Sequence, residues 1–209
     1  MKHSSVQHKL FSDIIGCEYF DDNRSLYQEL VYDQFEDTIL SAFPLFTQNI
    51  DKSELRTHIK DFMIYGSMSP YIWKMTSEFA NFMLQRLSSK RLREQLLFDD
   101  WQIKLYMHPH TMRQTTRTSR ERTLALAKTA TSLKLGSSYF VIYKNRFDNE
   151  VYILEITKIL SIFLRLLRNR YHIHKTVRLV SQRVNMPYSK LLPLLIQAKD
   201  EFYAKGIIE

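Results

Sequence analysis

Residues 139–155 read YFVIYKNRFDNEVYILE, and this stretch decides the fold. Tyr139–Tyr143 and Val151–Glu155 are runs of β-branched and aromatic residues, the composition of strands. Polar Lys144–Glu150, with Asp148-Asn149 at its centre, joins them as a hairpin. Helical spacing begins immediately afterwards. One helix is predicted from about Lys158 to Arg168, with Ile159, Leu160, Phe163, Leu166 and Leu167 inward. A second, near Lys175–Arg183, carries Val177, Val180 and Val184. A third, near Tyr188–Lys205, carries Leu191, Leu195, Ala198 and Phe202 and stops at Gly206 as a C-cap, before Ile207-Ile208.

Two strands and three helices, the last two joined by the short Val184-Asn185-Met186-Pro187 turn, make a winged-helix-like order. Upstream, Leu124–Leu135 alternates in part, while its Ala-Lys-Thr content leaves strand and non-strand both open.

The N-terminal half has helical spacing instead. Leu26, Leu30, Val31, Phe35, Ile39, Leu40 and Phe43 trace one long amphipathic helix that ends near Ala42–Pro44, since proline cannot continue it. Asp51 with Glu54 resembles a capping box opening a second helix through Leu55, Ile59, Phe62 and Met63. The Gly66–Pro70 turn breaks the chain before a third helix with Ile72, Met75, Phe79, Phe82 and Met83 inward. A fourth runs from about Lys90 through Leu92, Leu96, Leu97 and Trp101, and a short helix is expected at Leu10–Ile15. The fold class expected is mainly α with a small antiparallel β element. It comprises a helical bundle over 1–107, a basic join over 108–130 and a winged-helix-like domain over 131–209.

Charge supports two modules. The 209 residues carry a formal net charge of +8. Residues 1–105 hold 12 Lys+Arg and 15 Asp+Glu, a balance of −3; residues 106–209 hold 18 and 7, a balance of +11. Nine bases and no acid lie between Thr157 and Lys199. Such a run is either a solvated face or a surface that attracts a polyanion or an acidic peptide.

Other classes are excluded or disfavoured. A 44% hydrophobic share is well above the disordered range, and four Gly with five Pro rule out a collagen-like chain. The single Cys17 forms neither an intrachain disulfide nor a multi-Cys zinc site, which fits a reducing compartment. Met1–Leu10 has no apolar core, and Ile153–Leu167 is interrupted by Glu155, Lys158 and Arg165. A cytoplasmic protein without a membrane partner is therefore expected. His108 and His110 could share a metal only on an extended segment, and no nearby Cys or acidic cluster completes a site. Cys17 has no base near it in sequence, and Asp99-Asp100 occupy adjacent positions that point apart on a helix. Asp99-Asp100 are read as tethering the bundle to the join.

The N-terminal half resembles a bacterial family of BufC/HvfC-like proteins, whose older label is DNA-binding. The residues that carry the resemblance are Tyr27, Phe43-Pro44, Ser69-Pro70, Ile72, Phe79, Phe82-Met83 and Asp100-Trp101, in the family's internal spacing. Gln28, Thr76 and Asp100 stand where the family usually has Arg, Gly and Glu. The C-terminal half looks like the PqqD-like peptide-recognition domain. There the resemblance rests on Val151–Ile156 running into the Ile159–Leu167 helix, the Val177/Val180 helix, and Leu195–Ile208. The usual Gly between the first two helices is replaced by Asn169-Arg170-Tyr171.

Together the resemblances imply a non-catalytic partner protein for leader-peptide recognition in RiPP maturation. It would bind a ribosomally made precursor peptide and present it to a multinuclear non-haem iron oxidase. The iron would belong to that partner, so no cofactor, metal site or catalytic residue is expected in this chain. Peptide capture would be by β-augmentation, using Tyr139, Val141, Tyr143, Val151 and Ile153 as strand edges, with Leu191 and Leu195 as groove wall. Arg165, Arg168, Arg170, Lys175, Arg178, Arg183 and Lys190 would form a basic face for an acidic peptide or DNA. The alternative is a DNA-binding transcriptional regulator. The first turn of its recognition helix would offer Tyr188, Ser189 and Lys190, with no Arg, Asn or Gln for a bidentate base contact.

Overall fold

The computed structural model describes residues 22–66, 72–109 and 124–209, without the side chains of 22–28, 65–66 and 72–73. The expectations at 10–15, Cys17, 67–70 and 110–122, and those for the side chains of Leu26, Tyr27 and Ile72, lie outside the described residues. Two compact units emerge, Met1–Asp100 and Trp101–Glu209.

In the first unit, α1 spans Asp22–Ala42. Phe35, Ile39 and Phe43, four apart, are buried, whereas Leu30 and Leu40 face outward. Pro44 both ends α1 and opens a short α2, Pro44–Thr47, where its missing N–H costs nothing at the first position. Asp51 caps α3, Lys52–Asp61, accepting from the amides of Ser53 at 2.8 Å and Glu54 at 3.1 Å. The Glu54 carboxylate turns to His58, 3.5 Å away. One π-turn, Phe62–Gly66, extends α3. Then come α4, Ile72–Arg86, and α5, Lys90–Met107, whose last turns belong to the second unit.

Phe62 is the hub of the first core. Its ring meets Phe79 at 5.3 Å and Phe82 at 5.4 Å, both edge-on, and Phe35 at 6.2 Å. Phe43 reaches Phe79 at 5.7 Å. Edge-to-face pairs of this kind contribute about 0.5–1.5 kcal/mol each beyond the area they bury.

The second unit is built on an antiparallel sheet in the order β1-β2-β3, comprising Ala130–Leu135, Ser138–Lys144 and Val151–Ile156. Of the open segment 124–135, only the last six residues are strand. The hairpin register pairs Tyr143 with Tyr152 and Tyr139 with Ile156. Three helices follow: α6, Lys158–Leu167; α7, Ile173–Val184; and α8, Tyr188–Lys205. Thr157 caps α6 by accepting from the Leu160 amide at 3.3 Å. α7 ends at Asn185 with φ 51°, and α8 at Gly206 with φ 77°. Val141, Phe163, Leu167, Val177, Leu191 and Phe202 lie in one buried cluster under the sheet and helices.

Beyond Gly206 the chain turns back to residues 125–127. The Ala125 amide donates to the Glu209 carbonyl at 2.8 Å, the Glu209 amide returns the bond at 2.9 Å, and the Ala127 amide donates to the Ile207 carbonyl at 2.9 Å. The architecture is mainly helical with one small three-stranded antiparallel sheet among the described residues.

Candidate functional site

Strand order decides which candidate edges exist. β2 lies between β1 and β3, so Tyr139–Tyr143 has both flanks hydrogen-bonded and cannot accept another strand. This corrects the expectation that either hairpin strand supplies an edge. Val141 and Tyr143 are buried and Tyr139 is half-buried, all as parts of the sheet and core. β3 pairs with β2 alone among the described strands. Val151 is half-buried at its start, and Tyr152 and Ile153, at successive positions, remain 42% and 45% exposed.

The hairpin end of β3 is rigidly built. The Tyr152 hydroxyl donates to the Asp148 carboxylate at 2.8 Å, and that carboxylate also accepts from the Glu150 amide at 3.0 Å. The amide bond, followed by the tyrosine bond, holds the Asp148 carboxyl below its ordinary range. The same tyrosine–carboxylate bond raises the Tyr152 hydroxyl above its own. The Tyr152 ring stacks on Tyr143, centroids 5.8 Å apart.

Leu191 and Leu195 do not form a groove wall. They are 0% and 1% exposed, inside the core. The 4-3-4 spacing that marks α8 as amphipathic is also what turns them inward. The outward apolar residues of α8 are Leu194, Ile196 and Tyr203, which carried no signal apart from the inward stripe. Arg146 was also missed. Its guanidinium lies between the rings of Phe147, at 5.1 Å, and Tyr203, at 5.3 Å, and reaches the Ala204 carbonyl at 3.5 Å. It thereby ties the hairpin to the end of α8.

All seven basic-face residues are exposed. Arg165 is on α6, Arg168 and Arg170 are in the following turn, Lys175, Arg178 and Arg183 are on α7, and Lys190 is in the first turn of α8. Among the described residues none of the seven has a carboxylate within salt-bridge distance; the basic residue of this region that does is Lys199, 2.9 Å from Asp200. Arg168 donates to the Thr131 hydroxyl at 3.2 Å, and Lys175 lies 4.3 Å from the Tyr171 ring centroid. The His172 and His174 rings stack at 5.6 Å, and His174 Nδ1 is 2.7 Å from the Tyr188 hydroxyl.

Two ionisable side chains, Lys144 and Asp99, are buried without any local sequence signal for it. Lys144 is buried at the end of β2, and its ammonium donates to the carbonyls of Tyr106 at 3.1 Å and His108 at 2.8 Å. It thus satisfies carbonyls at the C-terminal end of α5. Asp99 is buried too, and one of its oxygens accepts from the amides of Leu45 and Phe46, each at 3.0 Å. The Asp99 carboxylate therefore caps α2, which replaces the expectation that it tethers the join. Burial pushes its pKa up to about 6 against the lowering effect of those two amides.

Among the described residues no group of three or more His, Cys, Asp or Glu side chains could hold a metal. His108 Nδ1 lies 2.9 Å from the Pro109 carbonyl oxygen, and His110 lies outside the described residues. No described helix is long and apolar enough to cross a membrane. Comparison with protein-family models finds no match to this chain, and comparison with curated proteins finds none either.

Proposed function

We propose that this chain is a non-catalytic partner protein whose C-terminal, winged-helix-like module captures an extended precursor peptide on the free edge of β3. In this reading the N-terminal helices form a bundle that docks an iron-dependent peptide-modifying oxidase, to which the peptide is presented. The observation that carries the reading is the state of β3, an edge strand with two successive large apolar side chains exposed. Natural edges are usually blunted by charge, proline or a bulge, because an open edge pairs with any extended chain; β3 has one charge, the exposed Glu155 near its end, and no proline. A peptide added as a fourth strand would satisfy that edge and place successive side chains, on opposite faces of the sheet, beside Tyr152 and Ile153. The assignment of an oxidase as partner rests on the BufC/HvfC-like spacing around Phe43-Pro44, Phe79, Phe82-Met83 and Asp100-Trp101.

The test is co-expression of this protein with a multinuclear non-haem iron oxidase and a precursor peptide encoded in the same genome, followed by co-purification. Recovery of both supports the reading; recovery of neither overturns it. Ile153→Ser, at an exposed position, is expected to weaken peptide capture about 10-fold, read by fluorescence anisotropy, with the thermal midpoint unchanged.

A further inference from the structure

The cations at the starts of α7 and α8 are not absorbed by a peptide strand on β3, and their surroundings favour another ligand. Tyr171, His172, His174, Lys175 and Tyr188 make two sets that adjoin in sequence: Lys175 lies over Tyr171, and His172 stacks on His174, which is bonded to Tyr188. Arg170, Arg178 and Lys190 are exposed on the same turn and on the first halves of these helices, with no carboxylate within 4.0 Å among the described residues. Neither helix has an acid in its first turn or a side-chain cap on its leading amides. Positive charge, aromatic rings and uncapped amides therefore coincide.

An acidic peptide and a nucleic acid are both attracted by such charge, but their other requirements differ. A peptide bound as a strand or helix also needs apolar pockets for its side chains, and an acidic motif held by charge alone would leave the rings unused. No large apolar side chain is exposed between Lys158 and Leu191. A single-stranded nucleic acid needs cations along its backbone and rings for its bases, and both are here. The first turn of α8 has no bidentate base reader, so sequence would not be discriminated. We propose that the surface formed by Arg170–Arg178 and the start of α8 binds single-stranded nucleic acid without regard to sequence, at a place separate from the β3 edge.

The experiment is fluorescence anisotropy of the full chain with a labelled 20-nucleotide thymidine strand, a duplex of equal length and a 20-residue oligoglutamate. Four phosphate contacts predict a salt slope near −3, so affinity for the single strand should fall about 50-fold between 50 and 200 mM salt. Lys175→Glu/Arg178→Glu should reduce binding at least 10-fold. Tyr171→Ala should weaken it about 10-fold while leaving the salt slope unchanged, the mark of lost stacking rather than lost charge. Ile153→Ser should leave oligonucleotide binding intact, so this inference and the peptide reading fail separately. No binding at 50 mM salt would overturn the proposal. So would oligoglutamate binding as tightly as the thymidine strand, which would reassign the surface to acidic peptides, or tighter binding of the duplex. These three comparisons use the unmodified protein and do not depend on any variant folding.

Discussion

Asp99 and Asp51 do the same job at different ranges. Asp51 caps the helix that starts at the next residue, and the Asp-x-x-Glu pattern announces it. Asp99 caps a helix 53 and 54 residues away, and nothing local marks a carboxylate that will meet distant amides. Lys144 was illegible for the same reason: a lysine ending a strand reads as solvated until the carbonyls of Tyr106 and His108 close over it. With its folded pKa raised to about 6 from the ordinary carboxyl value of 3.8, Asp99 holds more protons in the folded than in the unfolded state between those values. The stability gained from protonation is fully present below the lower value and is lost as pH rises through the upper. Relative to Asp99→Asn, which cannot titrate, the unsubstituted protein should gain stability between pH 7.5 and pH 5, measured as urea midpoints of both proteins. Lys144→Met retains apolar bulk but removes the ammonium that bonds two part-buried carbonyls, and should cost about 1–3 kcal/mol in the same assay.

At the scale of elements, what is periodic in sequence was legible. α4, α5, α6 and α8 fall where apolar spacing places them, because the 3.6-residue period is imposed by the core each helix faces. α1 shows the limit: Leu30 and Leu40 join the apolar pattern yet face outward, while Phe35 and Ile39 carry the burial. β1 was half-legible, and strand order was not legible at all. Pairing of β1 with β2 makes β2 central, and that depends on contacts between runs whose residues look alike. The basic-face residues were found as exposed because charge avoids burial; the groove residues were not, because an apolar stripe marks the inside of a helix. Gly206 has φ 77°, and a Cβ there would lie 3.4 Å from the Arg146 stem. Gly206→Ala should cost about 1–2 kcal/mol from the left-handed backbone, seen as faster amide exchange at Ile207 and Ile208.

For the molecule as a whole, the uneven charge distribution is the property that mutation can address. The balance of +11 after residue 105 is concentrated where no acid intervenes for some forty residues. Arg178→Glu/Arg183→Glu should weaken capture of any polyanion, acidic peptide or nucleic acid alike, and flatten its salt dependence. Ile153→Ser should affect peptide alone. Titration of both variants with peptide and with oligonucleotide separates an edge that adds a strand from a face that gathers charge.

The tail that follows Gly206 carries one more consequence. Ala125 and Glu209, near the first and last described residues of the second core, exchange two backbone hydrogen bonds. Chain ends that already touch can be joined by a short linker, and the chain reopened elsewhere, without moving the core. The turn at Gly136-Ser137 is exposed, and a Cβ at Gly136 would meet nothing within 4 Å. A circular permutant of residues 124–209, joined between Leu124 and Glu209 and opened at this turn, is expected to keep the sheet and three helices, with Lys144 released to solvent by loss of the Tyr106 and His108 carbonyls. Peptide on β3 and oligonucleotide on α7 could then be studied on one portable cassette.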